Sequence, residues 1–180
     1  MATAVTRTRT LRGAFSGVVA AAVWAAEQPL DKLLFGSRYD DVELLGKAVV
    51  TGDGWYPAGF VLHVGNGAVF GAVYANVAPA LPLPPILRGP AVALSEHLAV
   101  WPLTAVSDRL HPARKHLPGL TGNRRAFAQA TIRHLLFGLV LGELERRLNA
   151  APEPAPLLSA QEVSSNGHGS LEHAMQAGPA

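Results

Sequence analysis

One long uncharged stretch, from Trp55 to Leu87, limits what this chain can fold into more than any other feature of its sequence. It contains no Asp, Glu, Lys or Arg, and its first two thirds are almost entirely apolar. A helix rises about 1.5 Å per residue, so this stretch is long enough to cross the hydrocarbon core of a bilayer, which is about 30 Å thick. It therefore predicts a membrane-spanning helix.

Three further apolar stretches repeat the pattern less cleanly. Together they predict spans at residues 13–30, 57–78, 89–107 and 126–145, the third kinked at Pro102. Hydrophobic residues make up 49% of the chain and charged residues only 16%, a balance that favours a membrane protein. The expected fold class is all-α, an integral membrane antiparallel bundle of four transmembrane helices.

The segments around the spans differ from them in composition. Residues 1–12 form a basic, Thr-rich leader that is expected to be disordered or to lie at the membrane interface. Residues 31–56 form a polar connection, within which Asp41 to Val49 predicts a short amphipathic helix. Residues 150–180 form a tail of small and polar residues, for which disorder is expected. The predicted organisation is one transmembrane domain, residues 13–149, between these two ends.

Glycines four residues apart recur in three of the predicted spans. Small residues at this spacing let helix backbones approach closely, which is how apolar helices associate in a membrane. The pattern predicts a tightly packed bundle. The pairs are Gly13 with Gly17, Gly67 with Gly71, and Gly138 with Gly142.

Composition and motifs also limit the partners and the chemistry. The chain has no cysteine, which excludes disulfides, thiol catalysis and cysteine-ligated metals. Its net charge is only +2, and its arginines lie beside the apolar spans, an arrangement that suits lipid headgroups rather than nucleic acid. No nucleophile elbow, HExxH or Walker motif occurs, so the sequence does not support an enzyme. The expected partners are membrane lipid and either a second copy or a membrane complex.

Every predicted span carries at least one polar or ionisable residue. An ionised side chain at the centre of a bilayer costs about 2.5–3.5 kcal/mol on insertion scales, so such residues usually face the interior of a bundle. Because the spans alternate in direction, these side chains are expected to converge at middle depth or slightly beyond. The predicted polar cluster is Glu27, His63, Asn66, Glu96, His97 and His134.

Three histidines and a carboxylate are compatible with more than one function. Imidazoles and a carboxylate are ordinary zinc or iron ligands, so His63, His97, His134 and Glu27 could bind a metal ion, and the histidines could ligate a haem. The same histidines could relay protons, because histidine titrates near neutrality. Alternatively, each is a buried hydrogen-bonding residue that holds helices together. Glu27, with Pro29, could also simply end the first helix near the headgroups.

Other charged residues near the spans allow simpler interpretations. Arg133 could pair with Glu96 across helices, or extend to the nearby interface. His111 and His116 lie in a basic loop and are expected to face water and anionic headgroups.

Four motifs follow one another along the spans. They are GVVAAAVWAAEQP (Gly17 to Pro29), HVGNGAVFGAVYA (His63 to Ala75), HLAVWPL (His97 to Leu103) and HLLFGLVLGELERRL (His134 to Leu148). Their order resembles the YagU-like family of bacterial inner-membrane proteins, over residues 13–148 in outline. The resemblance implies an inner-membrane helical bundle in which Glu27, His63, His97 and His134 belong to one recurring set. The family has no assigned biochemical activity, so no reaction is implied.

The leading hypothesis is a non-enzymatic multi-pass protein of the inner (cytoplasmic) membrane whose buried cluster handles protons or ions. One alternative is a membrane subunit that binds a metal ion or haem through the same histidines. A second alternative is a structural or accessory subunit of a membrane complex.

Overall fold

The computed structural model describes residues 7–150, and this part of the chain is all-helical, without a strand. The all-α prediction is therefore confirmed for these residues, whereas residues 1–6 and, within the predicted tail, residues 151–180 lie outside them. The helices are α1 (Arg7–Phe35), α2 (Asp41–Val49), α3 (Trp55–Val77), α4 (Pro85–Val100), α5 (Thr104–Leu110) and α6 (Arg124–Leu148), with 3-10 turns at Ala78–Ala80 and Trp101–Leu103.

Helix α1 is longer than predicted at both ends. It begins at Arg7, so half of the expected leader is helical, and it continues through Pro29 to Phe35. The prediction that Glu27 and Pro29 end the helix is wrong. The helix continues beyond the proline because its residues still divide into a buried face and an exposed face. Asp31 is buried, whereas the leucines around it are exposed.

Paired glycines bring α1 and α3 together, as predicted. A Cβ added at Gly17 would lie 1.9 Å from the carbonyl oxygen of Gly67, and one added at Gly71 would lie 2.2 Å from that of Gly13. Since early residues of α1 meet late residues of α3, the two helices are antiparallel. Backbones this close leave no room for a side chain.

Helices α4 and α6 pack in the same way. A Cβ at Gly89 would lie 2.0 Å from the carbonyl oxygen of Gly138, and Gly142 also contacts Gly89. Near the other end of this pair, His97 of α4 reaches Thr131 of α6. The two helices are therefore antiparallel, and α1 also packs against α6.

Helix α2 has the bounds predicted for it. Its N-cap is Asp40, whose carboxylate accepts a hydrogen bond from the backbone N–H of Glu43 at 2.9 Å. A Cβ at Gly46 would lie 2.0 Å from the carbonyl oxygen of Trp55, so α2 packs tightly on the start of α3. This packing turns Asp41, the first residue of α2, towards the other helices.

The kink predicted at Pro102 is present as a break in the helix. Helix α4 ends at Val100, a 3-10 turn follows, and α5 resumes at Thr104. Pro102 has no N–H to donate to the carbonyl of Leu98 one turn earlier, so the α-helical pattern stops there. The Thr104 hydroxyl and backbone N–H both donate to the carbonyl of Trp101, the hydroxyl at 2.7 Å.

The segment between α5 and α6 is tied to the helices by two polar side chains. Asp108 accepts hydrogen bonds from the backbone N–H groups of Leu120 at 3.0 Å and Thr121 at 2.7 Å. His111 is buried, with Nε2 2.9 Å from the carbonyl of Leu44 on α2, which corrects its predicted place in a solvated loop. His116 is exposed, as expected.

Replacing Asp108 with alanine is expected to loosen this loop. Burial raises the pKa of the Asp108 carboxyl, but the hydrogen bonds from Thr121 and Leu120 outweigh it and hold the pKa below its ordinary value of 3.8. A lowered folded pKa means that the ionised carboxylate contributes its full stability above about pH 3.8, and that this stability is lost as the pH falls through the folded pKa. Hydrogen exchange at Leu120 and Thr121, corrected for intrinsic rates, measures both effects.

The matched control for that experiment is Asp53→Ala in the exposed turn before α3. Protection of the two amides should be unchanged in this control and lost at neutral pH in Asp108→Ala. Equal protection in both variants would contradict the role assigned to Asp108.

The described helices differ in how well they satisfy the requirements for a membrane span. Within residues 7–150, one segment, Trp55–Ala80, is long and apolar enough to cross a membrane. It contains the second predicted span, residues 57–78, and lies within the uncharged stretch from Trp55 to Leu87. The other long helices carry more charged and polar side chains and are less apolar than this segment. Whether they suit a membrane therefore depends on where those side chains lie in the fold.

Candidate functional site

A buried arginine lies at the junction of α1, α2 and α6. The guanidinium of Arg133 donates through Nη2 to Asp31 Oδ1 at 2.7 Å, through Nε to Asp31 Oδ2, and through Nη1 to Asp41 Oδ2 at 2.7 Å. The side chains of Arg133 and Asp31 are both 0% exposed. The fork of the guanidinium thus holds one carboxylate with two bonds and a second carboxylate with one.

Neighbouring polar groups complete the hydrogen bonding of this ion cluster, which we define as Asp31, Asp41 and Arg133. Gln129 donates to Asp31 at 2.8 Å, and Trp24 Nε1 donates to Asp41 at 3.1 Å. The Tyr39 hydroxyl also donates to Asp41. Two carboxylates face one guanidinium, so the ionised cluster has a formal charge of −1.

The sequence reading missed most of this ion cluster. The sequence predicts Asp31 in a polar connection, and for Arg133 either a pair with Glu96 or extension to the interface. In the structure Arg133 does neither, because it is buried against Asp31, while Glu96 pairs with His134. Helical spacing is the signal that could have revealed it, because Gln28 and Asp31 repeat on one face of α1, and Gln129 and Arg133 lie four residues apart on α6.

Beside the ion cluster, residues of helices α1 to α6 line a partly open cavity of about 190 Å³. Asp41 lines it and so connects the cavity to the ion cluster. The predicted cluster residues His63, Asn66, Glu96, His97 and His134 all line it as well. Aromatic rings form much of the remaining wall: Trp24, Tyr39, Phe70, Trp101 and Phe137.

Glu96 and His134 form a hydrogen-bonded pair across α4 and α6. The Nε2 atom of His134 lies 3.0 Å from Glu96 Oε2, and its Nδ1 atom lies 2.7 Å from the carbonyl oxygen of Ala130. Both ring nitrogens of His134 therefore face acceptors. A carboxylate and a neutral imidazole can supply only one of the two protons that these contacts need.

His97 packs directly against His134. The two ring centroids are 4.5 Å apart. The Thr131 hydroxyl donates to the carbonyl of Phe127 at 2.8 Å, so its oxygen accepts from Nε2 of His97 at 3.0 Å. His97 thus donates through Nε2, and Nδ1 is the acceptor nitrogen of its neutral ring.

The Trp24 ring contacts both His63 and His134. The Trp24 ring centroid is 5.3 Å from that of His63 and 4.6 Å from that of His134. Nε2 of His63 donates to the carbonyl oxygen of Ala21 at 3.1 Å, which ties α3 to α1. The three histidines therefore line one cavity, and the Trp24 indole contacts two of them.

The remaining predicted residues are placed differently. Asn66 lines the cavity on an exposed part of α3. Glu27 lies one turn before Asp31 on α1, outside the residues that line the cavity, and its Oε2 atom is buried without a hydrogen-bond partner among residues 7–150. The part of the chain that the structure describes holds no group of three or more His, Asp and Glu side chains that could bind a metal ion. The predicted ligand set is thus not assembled there.

Comparison of the chain with models of protein families, with curated proteins and with solved structures finds no match. The chemistry of the cavity and of the ion cluster is therefore the basis for a function.

Proposed function

We propose that this chain is a multi-pass protein of the inner membrane, a bundle of four transmembrane helices whose Glu96–His134 pair handles protons inside the cavity. The observation that carries the proposal is the position of His134 between two acceptors. The membrane part and the proton part rest on separate evidence.

The membrane part is supported by the distribution of polar and apolar side chains. Leu30, Leu33 and Leu34 of α1 are 69%, 82% and 78% exposed, whereas Asp31 in the same turn is 1% exposed. Arg133 on α6 is 0% exposed, and Leu139 on the same helix is 48% exposed. Charged groups inside and leucines outside suit a lipid environment, in which polar side chains face the interior of a bundle.

The outer face of α1 is long enough for a span even though the helix contains charges. Its exposed large apolar residues run from Leu11 to Leu34, which corresponds to about 35 Å at the rise of an α-helix. Pro29 and the polar residues near it lie within this length, and Asp31 faces α6 rather than the outer side. Gln28 and Asp31 are both buried, so these two polar groups lie away from the outer face of the span.

The proton part follows from counting protons in the Glu96–His134 pair. Hydrogen bonds to both the Ala130 carbonyl and Glu96 need one proton more than a carboxylate and a neutral imidazole provide. The pair is therefore an imidazolium with a carboxylate or an imidazole with a carboxylic acid. In both forms it stores one proton at the wall of a cavity.

A second acceptor lies next to this stored proton. The ring of His97 packs on that of His134 and has Nδ1 as its acceptor nitrogen. In this proposal, water in the cavity carries the proton between the two rings, whose centroids are 4.5 Å apart. This arrangement favours proton handling over a role in helix packing alone.

Replacing Glu96 with glutamine is expected to reduce proton flux into liposomes that contain the purified protein by about tenfold or more, because an amide cannot give up the proton that the carboxyl shares. The measurement is the decay of an imposed pH gradient, followed by an entrapped pH-sensitive dye. His116→Gln, in the exposed loop, is the matched control and should conduct like the wild type. Equal flux in wild-type and protein-free liposomes would refute the proposal, as would unchanged flux in Glu96→Gln.

The order of the histidine motifs is the reason for proposing that the chain is YagU-like and resides in the inner membrane. That relationship remains a proposal, and so does binding of a metal ion or haem by the histidines. Elemental analysis and a visible spectrum of the detergent-purified protein, prepared without an affinity metal, test for a bound metal ion or haem.

A further inference from the structure

We infer that the cavity binds a small organic cation, such as a primary or quaternary ammonium ion, in exchange for the proton held by Glu96 and His134. This inference rests on the proposed function for its proton and adds a substrate class to the same site. The walls of the cavity, its charge and its size carry the inference.

Aromatic rings meet at steep angles around the cavity. Trp24 contacts Phe137 with an interplanar angle of 74°, and Trp101 contacts Tyr39 at 81°. Together with Phe70, these rings line much of the cavity wall. The negative face of an aromatic ring attracts ammonium ions.

Negative charge lies at the same cavity. Glu96 contributes a carboxyl to its wall, and Asp41 belongs to the ion cluster, whose formal charge is −1. Arg133 is fixed by both of its carboxylates and so is not free to act as the counter-ion of Glu96. A cation that enters next to Glu96 therefore finds a carboxylate whose other partner is only a proton shared with His134.

Groups on every surrounding helix act on that proton. His97 faces the pair from α4, His63 lines the cavity from α3, and Asp41 lines it from α2. Helix α1 contributes the Trp24 indole, which is uncharged. When a cation binds, the proton leaves the Glu96–His134 pair for water, so one positive charge enters and one departs. No covalent bond forms or breaks except that to the transferred proton.

The size of the cavity limits the ligand. Pockets for drug-sized molecules have volumes of about 300–1,000 Å³. A cavity of about 190 Å³ is smaller, so it suits a cation with few heavy atoms. Tetramethylammonium is a suitable probe, and tert-butanol is a neutral molecule of similar shape.

Titration calorimetry of the full-length protein in detergent tests the inference. Tetramethylammonium chloride should give saturable heat, with release of about one proton per cation when buffers of different ionisation enthalpy are compared. Glu96→Gln should weaken binding by about tenfold or more, and Trp101→Leu by about threefold, because each removes one part of the ammonium site. His116→Gln should bind like the wild type. Thermal unfolding of each variant confirms that it is folded.

Three outcomes would overturn the inference: no saturable heat with the wild type, equal binding of tert-butanol, or unchanged affinity in both cavity variants. Combining the calorimetry with the flux measurement distinguishes failure of the proposed function from failure of the cation site. Cation binding without proton release, in a protein that also conducts no protons, would refute the proton proposal and the exchange while leaving a cation site. Proton flux without cation binding would refute the cation site alone.

Discussion

Replacing Arg133 with methionine is expected to lower the free energy of unfolding by about 3–5 kcal/mol, the cost of breaking a buried ion pair by removing one partner. The substitution removes the only cation bonded to Asp31 within residues 7–150 and leaves its carboxylate in a site with 0% side-chain exposure. Asp41 loses the same partner and keeps only the hydrogen bonds from Trp24 and Tyr39. Titration of the detergent-purified protein with SDS, followed by circular dichroism, measures the loss.

Arg146→Met is the matched control for this change. Arg146 lies on the same helix and pairs with Glu143, but its side chain is 53% exposed and screened by solvent, so a much smaller loss is expected. A double variant, Asp31→Asn with Arg133→Met, should recover part of the stability, because the neutral amide oxygen can still accept from Gln129. Equal free energies of unfolding for Arg133→Met and Arg146→Met would show that the ion cluster is not buried as described.

Replacing Gly71 with alanine is expected to separate α1 from α3 and lower the free energy of unfolding by about 1–3 kcal/mol or more, as overpacking of a rigid contact does. The new methyl group would lie 2.2 Å from the carbonyl oxygen of Gly13 and 2.9 Å from backbone atoms of Gly17. Neither position belongs to a flexible side chain, so the helices themselves must move. The same SDS titration measures the effect.

Gly65→Ala tests whether this cost comes from the contact or from the glycine itself. Gly65 lies on the same helix, and a Cβ there would meet nothing within 4 Å. Alanine is the better helix former by about 0.5–1 kcal/mol, so this variant should be as stable as the wild type or slightly more stable. A similar loss in both variants would contradict close packing of α1 on α3.

The two predictions concern different parts of the structure, and the sequence indicated only one of them. The glycine pairs were recognised from their spacing, because close packing of helix backbones requires small residues at fixed intervals. The partners of Arg133 were not recognised, because Asp31 and Asp41 are far from it in the chain and lie on two other helices.

The cavity residues show the same division. Glu96, His97 and His134 were selected because polar residues in apolar helices are unusual, and all three line one cavity. Their actual partners were not predictable, since the pairing of Glu96 with His134 depends on how α4 and α6 are rotated about their axes. The sequence gives no signal for the aromatic residues of the cavity wall, because tryptophan and phenylalanine are common in apolar helices.

What the sequence determined by itself is the helical class, the bounds of α2, the break at Pro102 and the glycines at the helix contacts. These follow from local rules of periodicity, from the chemistry of proline and from the absence of a side chain. Only the tertiary structure decided that α1 continues through Pro29, that Asp31 and Asp41 bind Arg133, and that Trp24 contacts both His63 and His134. Helical spacing can place Asp31 and Arg133 on polar faces, but the partner of each depends on which faces of distant helices meet.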